Sequence, residues 1–180
     1  AMSQIANQAE SEILAYQYML GQYQQMNNTK MVSEFEKYPI ASSDRAYKDY
    51  CLSPLRDNSM HRLGVGTTHT MNSVITGIFF PSLRCRVYTP LERINIWRGK
   101  KFAAASPVGS DRMKFNAYDH VPSLEIPVYF FGGIYDYTCC CSLQKDYFDV
   151  VKAPLKGFYT FNQSAHSPLW EEPERAMDIL

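Results

Sequence analysis

Between residues 126 and 173 two short runs of aromatic and β-branched residues are separated by a single helical period, and this pattern most restricts the fold. Val128-Tyr129-Phe130-Phe131 and Gly157-Phe158-Tyr159-Thr160-Phe161 are rich in residues that suit a pleated, half-buried surface, so both read as strands. Between them Leu143, Tyr147, Phe148 and Val151 recur at helical spacing and form one apolar face. A strand, a helix and a strand in that order predict a parallel crossover, because parallel neighbours need a long connection. The chain is therefore expected to be an α/β protein. A polar residue follows each strand run: Asp136 the first, His166 the second. In open parallel sheets the reactive groups gather beyond the carboxyl ends of the strands, so these two side chains are expected to share one crevice. A carboxylate in that position fixes the tautomer of an imidazole and stabilises its protonated form, an arrangement suited to proton transfer.

The segments Gly133-Ile134-Tyr135-Asp136 and Ser164-Ala165-His166-Ser167-Pro168, with Glu171-Glu172-Pro173-Glu174 after them, resemble the C-terminal part of an α/β-hydrolase. In that family the triad runs Ser, then Asp or Glu, then His along the chain, with the Ser on a G-x-S-x-G elbow. The resemblance implies that Asp136 is the triad acid and His166 the triad base. No G-x-S-x-G occurs in the sequence, and no glycine-rich oxyanion loop precedes the strands, so no nucleophile is assigned within this chain. Single-domain α/β folds of this type commonly need roughly 200 to 250 residues. The expectation is a partial α/β-hydrolase fold from a larger hydrolase, inactive by itself. It comprises a mostly helical lid over residues 1–106 and an incomplete core over 107–180.

The helical expectation comes from the residues themselves. Ile13, Tyr16, Leu20 and Tyr23 make a stripe over residues 11–26, stopped by Asn27-Asn28. Thr29 is expected to cap a second helix, residues 44–52 form a third, and Ser53-Pro54 start a fourth that runs to about Leu63. Residues 70–80 are apolar enough for a buried helix ending before Pro81. Thr89-Pro90-Leu91-Glu92 is a capping box, with Leu91, Ile94 and Trp97 as the inner face of its helix. Residues 100–119 read as a polar connection, and Ala1 to Ile5 as the tail of a strand or as a start at Met2.

Other candidates carry less. The Gly64-Val65-Gly66-Thr67-Thr68-His69 stretch lacks both the G-K-[ST] ending of a P-loop and a third dinucleotide-type glycine, which favours a helix-ending turn over a phosphate cradle. Cys139, Cys140 and Cys141 are adjacent, so their side chains diverge and do not suit a tetrahedral zinc site. A thiol nucleophile paired with His166 is the alternative there, and packing at a helix start is favoured over it. His61, His69 and His120 are each expected as isolated polar or capped histidines. No metal or organic cofactor is needed by a Ser-His-Asp mechanism.

The 18 basic and 18 acidic residues balance, which points to neither a nucleic acid nor a membrane partner. No run of about 18 apolar residues and no secretory leader is visible. The odd number of cysteines, five, argues for a reducing compartment, and cytoplasm is the expected location. An aromatic content of 14% raises two readings of the lid: a cover for a small apolar or aromatic ester or amide substrate, or simply its own packing. Two strands are too few for an independent sheet, so a homo-oligomer, or association with a missing N-terminal portion, is expected. The second functional reading is a non-catalytic, oligomerising module descended from a hydrolase.

Overall fold

The computed structural model describes residues 1–3 and 5–180, with the backbone alone for 104, 109, 110, 112 and 113. It is a mixed α/β structure, mostly helical, with a two-stranded parallel sheet. Among the described residues no helix is long and apolar enough to cross a membrane.

The first helices are α1 (Gln8–Gln25), α2 (Thr29–Glu36), α3 (Asp44–Cys51) and α4 (Pro54–Arg62). Each begins on a side-chain oxygen that accepts an otherwise orphaned backbone N–H: Asn7 for α1, Asn28 for α2, Ser43 for α3 and Ser53 for α4. The α1 helix thus starts earlier than its apolar stripe suggested. The cap of α2 is Asn28, with Thr29 already inside the helix. Asn27 terminates the preceding turn in the left-handed region, at φ 53°, which asparagine tolerates better than most residues. These four helices close on Met19, Tyr23, Phe35, Tyr50 and Met60, all buried. Phe35 has no exposed surface and lies 5.2 Å from the ring of Tyr16 and 5.8 Å from that of Tyr23, centroid to centroid. Truncating such a side chain to Ala typically costs roughly 3–5 kcal/mol, so it is a principal anchor of the cluster.

The next stretch departs from expectation. Residues 70–80 do not form one buried helix: a π-helical turn, Ile75–Phe79, runs into α5 (Phe80–Arg84), and Pro81 sits in the first turn of α5. Proline lacks an N–H and its ring crowds the carbonyl four residues back, here Gly77, so the backbone widens just before it. Ile75 and Phe80 are exposed. The following helix, α6 (Pro90–Ala105), has both halves of the expected capping box between Thr89 and Glu92. Its supposed inner face is largely uncovered. Leu91 and Ile94 are exposed, while Trp97 packs edge-on to Phe79 and donates its indole N–H to Ser82. Residues 100–119 are also mostly helical: α6 continues to Ala105, and α7 (Pro107–Lys114) and α8 (Ala117–His120) follow. Ser106 adopts an extended conformation that suits the residue before a proline, and Pro107 opens α7 with its φ preset for a helix.

The crossover has the predicted form. Strand β1 (Val128–Gly133), helix α9 (Cys141–Val150) and strand β2 (Lys156–Phe161) are followed by the short α10 (Pro168–Glu171) and α11 (Pro173–Ile179). The strands pair in parallel with Phe130 opposite Phe158 and Gly133 opposite Phe161. Side chains alternate across the sheet: Phe130 and Phe158 pack with Leu143 and Tyr147 of α9, whereas Phe131 and Phe161 pack with Ala176 of α11. On its other edge β1 meets Met2 in a parallel bridge, through Phe131 N–H to the Ala1 carbonyl and Ser3 N–H to the Phe131 carbonyl. The backbone from Ala1 to Ser3 thus lies as an extra strand position beside β1.

Candidate functional site

The site grows out of the ends of the two strands. Beyond β1 the chain turns tightly: Asp136 N–H donates to the Gly133 carbonyl, and Cys141 N–H donates to the Asp136 carbonyl at 3.1 Å. That turn brings the Asp136 side chain inward, where it has no exposed surface. Beyond β2 the loop carrying His166 passes so close to the end of β1 that a Cβ on Gly133 would lie 2.1 Å from the Ala165 carbonyl oxygen. A glycine at that position lets the two chain segments meet. His166 Nδ1 then lies 3.1 Å from Asp136 Oδ2 and 3.3 Å from Oδ1.

A carboxylate only accepts hydrogen bonds, so the shared proton resides on Nδ1 and the lone pair of the neutral ring lies on Nε2. The His166 side chain is 32% exposed whereas Asp136 is fully buried, so the base can meet a reactant and the acid cannot. Among the described residues Nε2 has no hydrogen-bond partner. Such a pair can take a proton at Nε2 while the buried carboxylate stabilises the charge that appears on the ring.

Further groups hold the pair in place. Cys139 N–H donates to Asp136 Oδ1 at 2.8 Å. Glu171 accepts from Ala165 N–H at 2.9 Å on one carboxylate oxygen and from His69 N–H on the other. Glu172 accepts from Gln163 N–H and the Ser164 hydroxyl. The two glutamates therefore clamp the loop that presents His166, and Glu171 also fastens it to the Gly64-to-His69 stretch.

That stretch is a helix-ending turn. Gly64 has φ 69°, its N–H bonds to the His61 carbonyl, and Val65 N–H reaches the Met60 carbonyl, the paired pattern that closes a helix C-terminus. It also forms a wall of the site, which the sequence reading missed. Gly66 accepts from His166 N–H at 3.3 Å, Val65 accepts from Tyr137 N–H, and the His69 ring stacks on Tyr135 at 3.8 Å. Nothing local in Gly64 to His69 signals a neighbour about a hundred positions away; only the glycines hint at a close approach.

The remaining candidates fall elsewhere. His61 is buried, with Nδ1 against the Asp57 carbonyl and Nε2 near the Thr67 hydroxyl. His120 is exposed, its Nδ1 against the Asn116 carbonyl. Cys139 and Cys140 are buried at the start of α9, and Cys140 N–H donates to the Ser11 hydroxyl. Burial, with Asp136 and Cys140 nearby, pushes the Cys141 thiol up to about 11, which disfavours the thiolate a nucleophile requires. Among the described residues no three His, Cys, Asp or Glu side chains converge in a way that could hold a metal ion.

A mixed α/β protein with a buried carboxylate hydrogen-bonded to a half-buried imidazole is thus defined. No family model matches the chain, and no solved structure matches it. Among curated proteins it is similar to one from Bacillus subtilis (strain 168) named "Probable aminopeptidase YbaC", 25% identical over 183 residues that cover 99% of this chain and 54% of that protein. The chain spans about half the length of this curated relative.

Proposed function

We propose that this chain supplies the acid and base of a hydrolase of the α/β-hydrolase type, Asp136 and His166, for cleavage of an amide or ester bond. The carrying observation is the fully buried Asp136 carboxylate 3.1 Å from Nδ1 of a half-buried His166. In this reading His166 Nε2 removes the proton of a serine nucleophile and then returns it to the leaving group. Asp136 orients the ring and stabilises its protonated form. The sequence has no G-x-S-x-G, so the serine and the oxyanion donors come from outside these 180 residues. Residues 1–106 act as a helical lid and 107–180 as part of the core. The apolar side chains of the lid favour a small apolar or aromatic substrate. The name of the Bacillus relative makes the N-terminal amide of a peptide the first substrate class to try.

The test uses aminoacyl anilides, aryl esters and a fluorophosphonate probe. The 180-residue chain is expected to turn over nothing and to take no label. In a polypeptide that joins it to a G-x-S-x-G segment from such a hydrolase, turnover should appear. Asp136→Asn should then lower kcat by roughly ten-thousandfold. Undiminished turnover in His166→Ala would overturn the assignment.

A second reading, an oligomerising module without turnover, draws on the uncovered apolar side chains of the α5–α6 region, Val87 at 87%, Leu91 at 73% and Phe102 at 77% exposed. Sedimentation distinguishes it: a folded monomer at micromolar concentration counts against association.

A further inference from the structure

We propose that Gln144 is a positioning residue for the Asp136–His166 pair; the proposal rests on the hydrolase reading above. Gln144 lies in the first turns of α9, and its side chain has no exposed surface. A carboxamide removed from water must find its partners inside the protein. The Nε2 group of Gln144 offers two N–H donors. It lies 2.5 Å from the Cys139 carbonyl oxygen and 3.4 Å from Asp136 Oδ2.

Those two contacts complete a framework around the carboxylate. Oδ1 is fixed by Cys139 N–H at 2.8 Å. Oδ2, the oxygen nearer to His166 Nδ1, has the Gln144 amide as its other donor. With Cys139 N–H on Oδ1 and the longer Gln144 contact, 3.4 Å, on Oδ2, the carboxylate has a donor at each oxygen, which favours one orientation of its plane and so one direction in which Asp136 holds the imidazole. The same amide grips the Cys139 carbonyl, so the turn and the carboxylate are held by one side chain. Removing it leaves two acceptors with one donor fewer in a space closed to water. Gln144 touches Asp136, which in turn holds His166, so its role is positional.

The experiment is proton and nitrogen NMR of the intact 180-residue chain, observing the downfield Nδ1–H resonance of His166 and its exchange with water. Gln144→Met keeps the volume and removes both donors. It is expected to leave the chain folded and to speed exchange of that proton by at least about tenfold, the scale of one lost hydrogen bond. Gln144→Glu keeps the shape but puts an acceptor against Oδ2, and should also shift the resonance. A folded Gln144→Met chain with unchanged exchange would make Gln144 a packing residue only and overturn the proposal.

A reciprocal measurement needs no change at position 144. A Gln144 side-chain N–H, slow to exchange in the native chain, should lose at least about tenfold protection in Asp136→Asn. Full protection there also overturns the proposal. Failure of the underlying reading looks different: the His166 resonance would then be indifferent to Asp136→Asn.

Discussion

The Ser3 hydroxyl donates to the main-chain carbonyl of His166 at 2.8 Å, joining residues 163 positions apart. Ser3 pairs with β1 through its backbone and with the His166 loop through its side chain, so one residue braces the sheet edge and the site together. It does so in the left-handed region, at φ 49°, where a Cβ is unfavourable. Ser3→Ala should lose the hydrogen bond and keep the backbone penalty, a cost of about 1 kcal/mol. For a chain of this size that is roughly 2–4 °C in Tm. Ser3→Gly loses the same bond but relieves the backbone, so it should melt above Ser3→Ala. The reverse order in thermal unfolding would show that position 3 carries no strain.

Inside the helical region Glu12 of α1 and Arg56 of α4 form a two-pronged ion pair, with both contacts at 2.6 Å and Gln8 donating to the same carboxylate at 3.0 Å. Burial works against the Arg56 charge, and the bonds to Glu12 more than offset it, leaving the guanidinium protonated more firmly than usual. Arg56→Met strands a carboxylate that is 2% exposed, and unpairing a buried charge typically costs roughly 3–5 kcal/mol. The double variant Glu12→Leu with Arg56→Met removes both charges and should recover most of that loss. Urea unfolding of the single and double variants checks it. Equal destabilisation in both would mean that the ion pair itself, rather than the orphaned charge, sets the effect.

The strand, helix and strand were legible because each is a short local pattern: a β-rich run, an apolar face at 143, 147, 148 and 151, and another β-rich run. The capping box at Thr89 was legible for the same reason, since its partners are three residues apart. What failed was non-local or masked by composition. Residues 107–114 are polar, yet Pro107 after an extended Ser106 starts a helix whatever the polarity of the rest. Leu91 and Ile94 are apolar and correctly spaced, but spacing cannot say whether another surface arrives to cover them. At the site, Asp136 and His166 could be placed at neighbouring strand ends from the sequence. Glu171, Gln144 and the Gly66 carbonyl could not be assigned contacts, because their partners are set by the folded chain.

Cys141 offers a pH test. Its thiol is pushed up from the ordinary 9.0 to about 11, first by burial and then by the nearby negative charge of Asp136. At pH 8 only about one molecule in a thousand then carries the thiolate there, so alkylation by iodoacetamide should be slow and should rise toward pH 11. The folded state holds this proton more tightly than the unfolded chain. The associated stability is therefore fully present below about pH 9 and is lost as the pH rises toward 11. Cys141→Ser or Cys141→Ala should flatten the decline of Tm across that window. A decline of the same slope in both would assign it to other groups.

Gly133, the last residue of β1, gives the most direct check on the geometry of the site. A Cβ there would lie 2.1 Å from the Ala165 carbonyl oxygen and 2.3 Å from that of Ser164, both backbone atoms that cannot swing aside as a flexible side chain does. Gly133→Ala must push the His166 loop away from β1, straining the bond to Asp136 and the Glu171 clamp together. A destabilisation of roughly 1–3 kcal/mol follows from forced repacking, with loss of the downfield His166 proton. Gly21 is the control. It lies inside α1 with nothing within 4 Å of an added Cβ, so Gly21→Ala should stabilise the chain by about 0.5–1 kcal/mol through helix propensity. Opposite signs in urea unfolding are the expected result. A neutral Gly133→Ala with an unchanged His166 signal would mean that the two loops do not approach as closely as their hydrogen bonds imply.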